Sequence, residues 1–177
     1  MKSLISLAKL IILVSQIVFL PISQGSKDFW PMDAKLIDET CQKTPNPNLC
    51  VSSLKSDPRS FDADVKGLGI IMVDVVKEKA IIGQNRAQEL LKQSPGDLRL
   101  KACSGDYDKI SNHHVPNALL AFKKDAPDIA EEEMSEAAEE TRACESSFSG
   151  GSPLTDVNNV LADVAAITAT IAKELVG

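Results

Sequence analysis

The stretch "SPLTDVNNVLADVAAITATIAKEL", residues 152–175, decides the fold. Val157, Val160, Val164, Ile167, Ile171 and Leu175 recur at steps of three and four, the spacing that lines one face of an α-helix. Upstream, "SGGSP" at 149–153 breaks the chain, and before it Ala130, Met134, Ala137, Thr141, Cys144 and Phe148 repeat the same stepping. The spacing therefore predicts a helix from about Pro127, a residue suited to a first helical turn, to Phe148.

Two more helices precede these. One is expected over Leu98–Lys124, with a kink near Pro116, because an interior proline removes a backbone donor. The other is expected over Phe61–Leu91, with Phe61, Val65, Leu68, Met72, Val75, Ile82, Ala87 and Leu90 facing inward, and "SPGD" at 94–97 ends it. Gly67, Gly69 and Gly83 weaken that helix by about 1 kcal/mol each relative to alanine, so packing must hold it. Four such helices with short connections fold most simply as an up-and-down antiparallel bundle over residues 61–177.

Residues 26–60 form a smaller unit. Segments Asp33–Lys43 and Pro47–Leu54 flank "TPNPN", and Pro45 and Pro47 prevent one continuous helix, so a helical hairpin is expected. Residues 1–25 read as a secretory signal peptide. Lys2 and Lys9 flank the start of an apolar run from Leu10 to Leu20, Pro21 breaks it, and Ser23 and Gly25 suit a cleavage site. That run is too short for a membrane anchor, and the processed chain is expected to be soluble.

Losing residues 1–25 removes two lysines and no acid, which leaves 17 basic against 25 acidic side chains, a formal charge of −8. A chain so acidic repels phosphate backbones and argues against nucleic acid as a partner. The four cysteines of a secreted chain imply two disulfides, with three possible connectivities. Cys41 and Cys50 flank the hairpin turn. Cys103 and Cys144 stand about 33 and 28 Å along their helices from a turn at Asp125, close enough in level to be bridged.

No catalytic constellation is visible. His113 and His114 are adjacent, so on a regular helix they point about 100° apart, and they read as a partly exposed pair near the Pro116 kink. Glu131, Glu132 and Glu133, like Glu139 and Glu140, fan around a helix and read as a solvated face. There is no phosphate-cradling glycine motif and no G-x-S-x-G elbow, and no cofactor or metal is expected.

The motifs "IDETCQKTPNPNLC" at 37–50, Cys103 with "GDYDKI" at 105–110, "ACESSF" at 143–148 and the 152–175 stretch together resemble the plant invertase and pectin methylesterase inhibitor family. The resemblance implies an all-α fold, a helical hairpin followed by a four-helix bundle, with bridges Cys41 to Cys50 and Cys103 to Cys144. It implies an inhibitor of plant acid invertase (beta-fructofuranosidase) acting one to one at the sucrose cleft, with inhibition of pectin methylesterase as the alternative. The expected signal peptide gives entry to the secretory route, and the destination is cell wall or vacuole.

Within "AFKKDAPDIAEEE", residues 121–133, Pro127 matches the proline of the family's proline-lysine-phenylalanine motif, while Asp128 and Ile129 replace its lysine and phenylalanine. The target-binding residues so implied are Lys123, Lys124, Pro127, Asp128 and Ile129, with Lys123 or Lys124 taking over the positive role.

Overall fold

The computed structural model describes residues 32–176, so the expected signal segment lies outside the described residues. Helix α1 (Met32–Cys41) and helix α2 (Pro47–Lys55) form the hairpin. Asn46 caps α2 by accepting from the Leu49 N–H at 3.3 Å, and Pro47 occupies a first-turn position where no amide donor is needed. The Cys41–Cys50 bridge, with Cα atoms 5.5 Å apart, closes the hairpin. A second bond from Asn46, Nδ2 to Asp163 Oδ2 at 2.9 Å, ties it to the last helix of the bundle.

The bundle comprises α3 (Val65–Gln93), α4 (Leu98–Lys109), α5 (Val115–Lys123), α6 (Pro127–Ser146) and α7 (Thr155–Lys173). Asp64 caps α3 through the Gly67 N–H at 2.7 Å, and Asp97 caps α4 through the N–H groups of Arg99 and Leu100. Helix α7 packs against α6 and α3, while α4 and α5 together form the fourth rod, against α3 and α6. The architecture is all-helical among the described residues. Alanines such as Ala130, Ala137, Ala165 and Ala169 are buried on α6 and α7, and side chains this short let two backbones approach closely.

Several details depart from the sequence expectation. The first bundle helix starts at Val65, because Pro58–Asp62 forms a 3-10 turn ahead of it. Its inner face carries Val73, Val76 and Ala80, whereas Ile82 is exposed and Val75 only half-buried. Gly69 and Gly83 prove to be contact positions: a Cβ on either would come within 2.7 Å of the ring of Phe122 or Tyr107, respectively. The stretch expected as one kinked helix is interrupted by a π-helical segment, Ile110–His114, in which the Val115 N–H reaches back to the Ile110 carbonyl. Pro116 has no N–H to offer the preceding turn, and the widened turn accommodates that loss.

The stripe of the last helix is also rotated at its start. Val157 is half-buried and Val160 exposed, while Leu154, Asn158 and Leu161 face inward, before Val164, Ile167 and Ile171 resume the expected face. The reason is a buried polar cluster. Tyr107 donates its hydroxyl to Asn158 Oδ1 at 2.5 Å, and Asn158 Nδ2 donates to Glu145 at 2.7 Å. Beside it lies the Cys103–Cys144 bridge, with Cα atoms 5.1 Å apart. Burial raises the Tyr107 phenol well above its ordinary value, with the negative charge of Glu145 adding to the effect, so the hydroxyl stays a donor.

Candidate target-binding site

The turn between α5 and α6 is built from its backbone outward. Helix α5 ends with Asp125 in the left-handed region (φ 54°), which aspartate tolerates better than most residues. The Ala126 N–H then donates to the Ala121 carbonyl at 3.0 Å, and the Asp125 N–H to the Phe122 carbonyl at 3.4 Å. These paired bonds satisfy carbonyls that a helix end would otherwise leave open, the Schellman arrangement. Ala126 adopts a non-helical conformation (φ −118°, ψ 65°), as a residue before proline is pushed to do, and Pro127 opens α6.

Side chains then fix the turn to the bundle. Lys66, on the first turn of α3, pairs its ammonium with Asp125 Oδ1 at 2.8 Å, and this bond raises the Lys66 pKa. Phe122 is buried beneath the turn, against Gly69. A cavity of about 160 Å³ opens beside it, lined by Lys66, Phe122, Asp125, Pro127 and Leu175.

The five residues singled out from the sequence lie together at this end of the bundle. Lys123, Lys124, Asp128 and Ile129 are exposed, Ile129 to 46%, which is large for an isoleucine and leaves an apolar contact open to a partner. Pro127 is half-buried and shapes the turn more than it displays a face. Neither Lys123 nor Lys124 makes an ion pair among the described residues. Asp128 occupies the first turn of α6, where a carboxylate complements the helix dipole. Sequence reading missed Lys66, 59 positions from Asp125, because no local pattern joins them.

The histidines and glutamates also differ from expectation. His113 is exposed, but His114 is fully buried. Its Nδ1 lies 2.7 Å from Glu133 Oε2 and 3.8 Å from Glu136 Oε2, and its Nε2 lies 3.3 Å from Glu140 Oε2. Lys109 pairs with Glu140, a bond that raises the Lys109 pKa, and Asn117 donates to Glu133 Oε1 at 2.9 Å. Glu133 and Glu140 are thus drawn inward, seven residues apart on one face of α6, instead of lying on a solvated surface.

The structure is a disulfide-pinned helical bundle with an exposed turn that carries two lysines, a carboxylate and an isoleucine. The chain belongs to the plant invertase/pectin methylesterase inhibitor family, whose model matches residues 35–174. It is a protein inhibitor, not an enzyme, and its partner is an enzyme. It is 37% identical over 140 residues to the cell wall / vacuolar inhibitor of fructosidase 1 of Arabidopsis thaliana, covering 78% of this chain and 68% of that protein. It is 32% identical over 161 residues to a putative invertase inhibitor of Platanus orientalis, covering 83% of this chain and 94% of that protein. The fold matches the crystal structure of a pectin methylesterase inhibitor from Arabidopsis thaliana with a TM-score of 0.57 at 17% identity, over 81% of this chain and 98% of that one.

Proposed function

We propose that this protein inhibits a plant acid invertase, a beta-fructofuranosidase, in a one-to-one complex in which the α5–α6 turn occupies the sucrose-binding cleft. The observation that carries the reading is the 37% identity to an inhibitor of fructosidase over most of this chain. The geometry of the turn supports it. A glycoside hydrolase site is built around two carboxylates, which favour an approaching cation, and Lys123 and Lys124 are exposed at the tip. Asp128 opposes that attraction, so the lysines take the positive role and Ile129 supplies a small apolar contact. A tip already ordered by its Schellman bonds and the Lys66–Asp125 pair loses little conformational freedom on docking. The secretory route places the inhibitor in the cell wall or vacuole; among the described residues no helix is long and apolar enough to cross a membrane.

Inhibition of pectin methylesterase is the second reading, favoured by the exposed Glu132, Glu136 and Glu139 along α6, which suit a basic enzyme surface. Titrating the oxidised protein against purified acid invertase and pectin methylesterase in parallel separates the two. Under the invertase reading, Lys123→Ala with Lys124→Ala weakens inhibition at least about tenfold, and Asp128→Lys with Ile129→Phe strengthens it. Inhibition of pectin methylesterase alone would reduce the turn to a connection between helices.

A further inference from the structure

We propose that His113, His114 and Glu133 form a binding site for a divalent transition-metal ion of the zinc class, held at the π-helical segment. Their ligand atoms all lie within 4.8 Å of one another. On a regular helix adjacent histidines diverge too far to share an ion, but the wider turn at Ile110–His114 rotates successive side chains through a smaller angle. The two imidazoles meet nearly edge to face, with centroids 5.2 Å apart.

The burial of His114 supplies an independent argument. Its two ring nitrogens face carboxylates on opposite sides, Glu133 at Nδ1 and Glu140 at Nε2. His114 Nε2 and Glu140 Oε2 are both buried without a hydrogen bond of good geometry, so the ring is not fully satisfied by the protein alone.

A metal ion at Nδ1 would be shared by the Nδ1 lone pair and the Glu133 carboxylate, with Nε2 left on the side of Glu140. Glu140, itself held by Lys109, stands 3.3 Å from Nε2, the side on which a carboxylate orients a metal-bound histidine, and Asn117 orients Glu133 through its other oxygen. Glu136, whose Oε2 lies 3.8 Å from His114 Nδ1, is within reach as a fourth ligand, and the exposed His113 opens the site to solvent. Two imidazoles with carboxylates suit Zn²⁺, Ni²⁺ or Cu²⁺ better than calcium or magnesium, which take oxygen ligands. The site stands about 9 Å along α6 from Pro127 and joins the π segment to that helix, independently of the inhibitory reading.

Calorimetric titration of Zn²⁺ into the oxidised, tag-free, chelator-stripped protein tests this. One saturable equivalent is expected, with Zn²⁺ displacing the Nδ1 environment of His114 in histidine-ring NMR spectra. His113→Ala, an exposed change that leaves the far-UV circular dichroism intact, lowers affinity at least about tenfold, and Glu140→Gln lowers it by about 10- to 100-fold. Glu139→Ala, an exposed acid outside the cluster, leaves affinity unchanged. Absence of saturable binding, an unchanged His114 ring signal, or equal affinity in the His113→Ala protein would overturn the site.

Discussion

Replacing Gly83 with alanine sets helix propensity against packing. In the middle of α3, alanine favours the helix by about 1 kcal/mol over glycine. An added Cβ would lie 2.7, 2.8 and 3.0 Å from Tyr107 Cε1, Cζ and Cδ1, where carbon atoms need about 3.5–4.0 Å. The ring cannot swing aside, because it is fully buried and its hydroxyl is bonded to Asn158. Overpacking of this kind costs about 1–3 kcal/mol, and a strained Tyr107–Asn158 bond adds about 1 kcal/mol. The net expectation is a destabilisation of about 1–3 kcal/mol.

Gly105→Ala is the control. Gly105 is also helical, but it is exposed and has nothing within 4 Å of its added Cβ, so alanine there stabilises by about 1 kcal/mol. Urea unfolding of the oxidised proteins, with unchanged slope, should separate the two variants by about 2–4 kcal/mol, or roughly 5–15 °C in melting temperature. If Gly83→Ala stabilises as much as Gly105→Ala, the close approach of α3 to Tyr107 is wrong.

Three further outcomes are expected. Removing the Cys103–Cys144 bridge by paired serine substitution should cost about 1 kcal/mol more than removing Cys41–Cys50, because it frees a loop spanning 41 positions instead of nine; calorimetry of both variants checks the order. Asn158→Ala, which leaves the buried Tyr107 hydroxyl without its acceptor, should destabilise by about 1–3 kcal/mol, and pairing it with Tyr107→Phe should recover part of the loss in a double-mutant cycle. The Arg99 side chain, aided by backbone donors, lowers the Asp97 pKa to about 2, below its unfolded value. The cap therefore stabilises fully above the ordinary carboxylate range and loses its effect as pH falls through about 2, so melting curves of the parent and Asp97→Asn should converge over that acidic interval.

The sequence by itself determined most of the helices and their order, and it placed the cysteines where two bridges can close. Helical periodicity is a local signal, and the stripe Ala130, Met134, Ala137, Thr141, Cys144 is buried as read. The turn at Pro127 was legible for the same reason, since proline and the residue before it constrain the backbone wherever they stand. Only the tertiary structure decided what depends on residues distant in sequence. Gly69 and Gly83 read as weak points of a helix, but the aromatic rings that need their space belong to another rod of the bundle. Asn158 displaced a valine from the inner face because Tyr107 waited there with a buried hydroxyl, and Glu133 and Glu140 turned inward because a π turn set His114 between them. Buried polar groups must find partners, and which partners stand within reach is settled by how the helices pack.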